Sequence, residues 1–191
     1  MHDGNDDPKE LELAEHFSTQ RKIAEPQPTA DELKHVDELG TIGEAKLKSS
    51  GFYVRMVSAE PVGRVRLPAE CIVLVVEDDD GTAQVIVKSL ERFGYHTRRA
   101  RNRAETAAAL ALKPLPDLLL LDVLLPDVNG FDVLNRVRQH PALKRIPVVM
   151  LTSLSERKDI AKGLLLGADG YITKPALPST LVDAVQAILA G

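Results

Sequence analysis

Three carboxylates, a lysine and a threonine each follow an apolar run, and together they are the residues of this chain best placed to do chemistry. The run Asp117-Leu-Leu-Leu-Leu-Asp122 ends in Asp122 and is followed by Val-Leu-Leu-Pro-Asp-Val-Asn, closing at Gly130. Ile72-Val-Leu-Val-Val76 leads into Glu77, Asp78, Asp79 and Asp80, and two further runs end at Thr152-Ser153 and at Thr173-Lys174-Pro175. Carboxylates gathered at one place repel and raise one another's pKa unless a cation or proton relieves them. Mg2+ is such a cation, taking one or two carboxylates and leaving positions for water and phosphate oxygens. An ionised carboxylate is already a nucleophile near neutral pH. An Asp nucleophile, a divalent ion, a lysine and a hydroxyl therefore describe phosphoryl transfer to a carboxylate. Blander uses compete: Asp122 could cap a turn, Asp79 and Asp80 are read mainly as helix caps, and Lys-Pro alone marks a solvated turn.

These residues meet only if the runs are neighbouring strands. From Cys71 onward the pattern alternates strand and helix five times. Strands are expected at Ile72–Glu77, Tyr95–Ala100, Asp117–Asp122, Pro147–Thr152 and Asp169–Thr173, and helices at Thr82–Phe93, Ala104–Leu112, Gly130–Gln139, Glu156–Leu166 and Ser179–Ala190. Such alternation predicts an α/β fold, an open parallel sheet with helices on both faces. All the candidate groups then lie at the carboxyl ends of strands, where open sheets bind ligands.

Composition divides the chain near Cys71. Residues 1–70 carry net charge −5 and residues 71–191 carry +1. The first part holds Pro26, Pro28, Pro61 and Pro68, with no long periodic apolar pattern, and is expected to be an acidic extension or linker with little regular structure. Within it, Thr29-Ala-Asp-Glu32 reads as a capping box opening a short helix that stops at Gly40. A weaker helical stretch spans about Lys9 to Ile23, and Phe52–Val57 reads as a short extended segment. A net charge of −4, 4% aromatics and no Trp argue against nucleic acid. A single cysteine, Cys71, excludes an internal disulfide and a cysteine-based zinc site. An acidic start without a signal-like apolar stretch, and no run near the roughly 18 apolar residues of a span, lead to the expectation of a cytoplasmic protein.

The motifs from Cys71 to Gly191 resemble the receiver domain of two-component response regulators. The likeness rests on Val-Val-Glu-Asp-Asp at Glu77 and Asp78, Leu-Leu-Asp at Asp122 with Leu-Pro-Asp-Val-Asn-Gly after it, Leu-Thr-Ser at Thr152, Gly-Ala-Asp-Gly-Tyr at Tyr171, and Thr-Lys-Pro at Lys174. The resemblance implies a flavodoxin-like sheet of five strands in order 2-1-3-4-5. It implies that Asp122 is the phosphoacceptor, that Asp78 and Asp122 bind Mg2+ with Glu77 acting through water and Leu124 through its backbone carbonyl, and that Lys174 and Thr152 bind phosphoryl oxygens. Thr152 and Tyr171 would form the switch, Tyr171 turning inward, although a half-buried core aromatic is an equal reading of Tyr171. The implied partners are a histidine kinase or histidine phosphotransfer protein, and a downstream protein or a second copy meeting the face of the fourth helix, fifth strand and fifth helix.

Departures from the family pattern sharpen the expectation. Glu77 stands where Asp is common, Ala176 where an aromatic is frequent, and Arg98, Arg99, Arg101 and Arg103 crowd a region where acids are usual; they are read as a solvated charged face rather than a docking patch. The chain closes at Gly191 after the fifth helix without a legible DNA-binding segment, so output through protein contact is expected. A phosphohydrolase using an aspartyl-phosphate would need an acid two residues after the nucleophile, and Leu124 stands there. A constitutive adaptor would be expected to have lost Asp122, Lys174 or the acidic pair, and all are present. Leu124 and Leu154 are apolar where a side chain would orient an attacking water, which predicts a long-lived phosphoryl group.

Overall fold

The structure, a computed structural model, describes residues 12, 15–17, 24, 25, 27–54, 67–153 and 157–190. Its strands are β1 (Phe52–Val54), β2 (Ile72–Val76), β3 (His96–Ala100), β4 (Leu118–Asp122), β5 (Val148–Thr152) and β6 (Gly170–Thr173). Its helices are α1 (Ala30–Ser50), α2 (Asp80–Arg92), α3 (Arg103–Ala111), α4 (Gly130–Gln139), α5 (Arg157–Leu165) and α6 (Pro178–Leu189). The five expected strand–helix units lie within two residues of their expected bounds.

The strands form one sheet in the order β1-β6-β5-β4-β2-β3. All pairs are parallel except β1 with β6. Alternating side chains supply two cores, because successive strand residues face opposite sides. Leu74, Val76, Leu119, Leu121, Val148, Met150 and Tyr171 join α3, α4 and α5 on one face. Val73, Val75, Leu118, Leu120, Val149, Leu151 and Ile172 join α2 and α6 on the other. The four leucines of β4 have no exposed surface, and burying each contributes about 1.5–3 kcal/mol. That double burial is why the run before Asp122 carries no polar residue. Among the described residues no helix is long and apolar enough to cross a membrane.

Two features correct the expectations. The sheet has six strands, not five, because Phe52–Val54 adds antiparallel to the outer edge of β6, where an extended, half-apolar segment finds unpaired backbone groups. The extension also holds more regular structure than expected. Its capping box is present, with Thr29 Oγ1 accepting from the Glu32 amide and Glu32 accepting from the Thr29 amide at 2.8 Å, but the helix runs for 21 residues through Gly40. Gly40 and Gly43 are buried, and a Cβ on Gly43 would stand 2.9 Å from Ile160 Cγ2 on α5. Gly43 permits close helix packing, while Gly40 lies buried within the helix; the true stop is Gly51, in the left-handed region at φ 77°, whose amide donates to the Leu47 carbonyl. Of the weaker stretch at 9–23, Glu12 and Glu15 to Phe17 are helical, and its other residues lie outside the described residues.

Candidate metal and phosphoryl site

The sheet register brings the acids together. Val76 pairs with Leu121 and Leu151 with Asp122, so Glu77, Asp122 and Thr152 emerge from adjacent strands at the same rim. Thr152 in turn pairs with Thr173, which delivers Lys174. One carboxylate oxygen from each of Glu77, Asp78 and Asp122 lies within 4.8 Å of the others. Glu77 and Asp122 are buried, at 1% and 4% exposure, while Asp78 faces solvent.

Lys174 joins the two buried acids. Its Nζ stands 2.7 Å from Asp122 Oδ2, a hydrogen bond, and 2.6 Å from Glu77 Oε2. The Leu124 amide donates to Asp122 Oδ1 at 3.1 Å, and the Asp79 amide to Glu77 Oε1 at 3.3 Å. Burial pushes the Glu77 carboxyl above the usual carboxylate range, opposed by the hydrogen bond and charge of Lys174 and reinforced by the Asp122 charge. Burial pulls the Lys174 ammonium down, but its hydrogen bonds to Asp122 and Glu77 outweigh this and hold its pKa above the ordinary lysine value. Glu77 Oε2 is enclosed, and the Lys174 ammonium is its ion-pair contact. A buried acid pair sharing one ammonium, with a third acid at the solvent edge, is an oxygen-only donor set suited to a hard divalent ion.

The rest of the acidic run divides by role. Asp79 accepts from the Thr82 amide at 2.7 Å as N-cap of α2, which lowers its pKa. Asp80 is the first residue of α2 and pairs with Arg99 at 2.6 Å and Arg101 at 3.3 Å. Gly130 crosses the backbone after Asp122 so closely that a Cβ there would overlap the Asp122 carbonyl oxygen.

Sequence reasoning missed Arg99. Its Nη2 donates to the carbonyls of Glu77 at 3.1 Å and Asp78 at 3.2 Å, while its Nη1 holds Asp80. Arg98 likewise donates to the carbonyls of Ala109 and Leu112. These two arginines are structural clamps, not a solvated face. The available signal was position: Arg99 pairs with Val75 across β2 and β3, beside the strand end that carries the acids.

Thr152 is 1% exposed, and its carbonyl accepts from the Lys174 amide at 2.9 Å. Tyr171 is fully buried, its hydroxyl donating to the Ile160 carbonyl at 3.1 Å. Burial drives the Tyr171 pKa far above the ordinary tyrosine value. Gly163 makes its space, because a Cβ there would overlap the Tyr171 hydroxyl. The Leu124 side chain is 58% exposed beside the rim; Leu154 lies outside the described residues.

A family model described as response regulator receiver domain matches residues 73–186. Phosphate regulon transcriptional regulatory protein PhoB of Pseudomonas aeruginosa is 37% identical over 117 residues, 61% of this chain and 51% of its own length. The chain thus spans about half the length of the curated relatives it matches. Among solved structures, the signal receiver domain of a signal transduction histidine kinase from Syntrophus aciditrophicus is similar at TM-score 0.58 and 37% identity, covering 63% of this chain and 91% of that one. The phosphorylated cyanobacterial phytochrome response regulator RcpA is similar at TM-score 0.54 and 33% identity, covering 62% and 90%.

Proposed function

The chain belongs to the response regulator receiver domain family, and on that premise we propose that Asp122 is the phosphoacceptor of a Mg2+-dependent signalling switch formed by residues 71–191. The observation that carries this reading is the Lys174 ammonium held between the buried carboxylates of Asp122 and Glu77, at 2.7 and 2.6 Å. Asp78 and Asp122 would hold the metal directly, Glu77 through water, and Leu124 through its main-chain carbonyl. The bound ion supplies positive charge to the phosphoryl oxygens.

The chain's own residues do the rest. An Asp122 carboxylate oxygen forms the new bond to phosphorus while the P–N bond of a phosphohistidine donor breaks, its electron pair leaving with the imidazole. Lys174 offsets charge developing on the equatorial oxygens, and the Thr152 hydroxyl hydrogen-bonds one of them. Donors of this chemistry are a histidine kinase or a histidine phosphotransfer protein, and the output is contact with another protein.

Fluorine NMR with beryllofluoride, a phosphoryl mimic, tests the assignment on the full chain. A bound resonance is expected with Mg2+ and is lost in Asp122→Asn; a resonance that survives this substitution contradicts the reading.

A further inference from the structure

We propose that residues 30–54 are a built-in partner of the face formed by α5, β6 and α6, and that their docking is linked to the state of Asp122. The linkage rests on the phosphoacceptor reading above; the docked geometry does not. β1 pairs with β6 over three residues, Phe52 with Ile172, Tyr53 with Tyr171 and Val54 with Gly170. α1 lies on α5, with Gly43 against Ile160 and Leu47 buried in the same core as Tyr171.

Two physical connections run from this docked segment to the site. The first passes through Tyr171. Residues directly opposite in an antiparallel pair share a face of the sheet, so Tyr53 stands beside Tyr171. The Tyr171 hydroxyl is held by the carbonyl of Ile160, the residue that Gly43 packs upon. Tyr171 is therefore enclosed by α5 and by Tyr53, and leaving its pocket requires displacing β1. The second passes through the backbone. The Gly51 carbonyl, between α1 and β1, accepts from the Thr173 amide at 2.9 Å and the Thr173 hydroxyl at 3.1 Å. The next amide, that of Lys174, donates to the Thr152 carbonyl.

The docked segment thus braces the strand that presents Lys174 and holds Tyr171 inward. Whatever orders that rim tightens the docking, and by reciprocity docking strengthens binding at the rim. A second copy or another protein reaching the β6 edge must first displace residues 52–54.

Amide hydrogen exchange on the full chain with Mg2+, with and without beryllofluoride, tests this. In the wild type, peptides within 30–54 are protected, and the mimic slows their exchange further by about fivefold, the low end of typical coupling, together with peptides holding Glu77, Asp122 and Lys174. Gly43→Val, whose side chain would crowd Ile160, loses protection over 30–54 and binds the mimic more weakly by a similar factor. Should that variant not fold, Thr29→Ala, which weakens only the exposed cap of α1, gives the same effects in smaller measure. Peptides in 30–54 exchanging at unfolded-chain rates in the wild type, or unresponsive while the site peptides respond, overturn the proposal. Site peptides that fail to respond at all remove the phosphoacceptor premise instead, and the linkage with it.

Discussion

Lys174 gives Asp122 its chemical setting, an ammonium 2.7 Å from a carboxylate that is itself almost fully buried at the sheet rim. Arg99 performs a comparable service for the acids of the neighbouring strand by fixing the carbonyls of Glu77 and Asp78. Arg99→Ala is expected to weaken Mg2+ binding about tenfold, equivalent to roughly 1.4 kcal/mol of charge-assisted hydrogen bonding, as measured by titration calorimetry with the far-ultraviolet circular dichroism unchanged. Leu124 bears on lifetime. Its exposed apolar side chain cannot orient a water, so a Leu124→Asn/Leu154→Glu variant should release phosphate faster, on the order of tenfold or more, in a time course of phosphoprotein remaining; equal rates would end the idea.

The elements show why part of this was legible and part was not. β4 announced itself because burial on both faces demands an unbroken apolar run, and the acid ending it had to lie at the rim. The caps at Thr29 and Asp79 were equally legible, since short oxygen-bearing side chains before helices have a local cause. Gly40 misled because a glycine that ends a helix and one buried inside a longer helix look alike in sequence. β1 has three residues, too few for a periodic signal, and only the open β6 edge makes it a strand. Gly163 belongs to the same class of long-range requirement. Gly163→Ala would drive a methyl into the Tyr171 hydroxyl and is expected to cost about 1–3 kcal/mol in urea unfolding, with Tyr171→Phe/Gly163→Ala recovering part of the loss.

Taken whole, the molecule is a five-stranded receiver unit with an N-terminal segment laid over several of its elements. Beyond α1 and β1, His16 Nε2 lies 2.9 Å from the Arg136 carbonyl, and its ring meets that of His140 at 5.2 Å. Burial, the His16 charge and Lys113 lower the His140 pKa, against Glu12. A depressed imidazole pKa means the unfolded state binds more protons, so this contribution is present above about pH 6.5 and is lost as pH falls toward the folded value. The urea midpoint should therefore drop less between about pH 7 and pH 5.5 in His140→Gln than in the wild type. The central claim, that Asp122 takes the phosphoryl group, is tested most directly by treating the full chain with acetyl phosphate and Mg2+ and mapping the added mass by peptide. One phosphoryl group on the peptide containing Asp122, absent without Mg2+ and absent in Asp122→Asn, is the predicted result; an adduct elsewhere, or one that persists in Asp122→Asn, would contradict it.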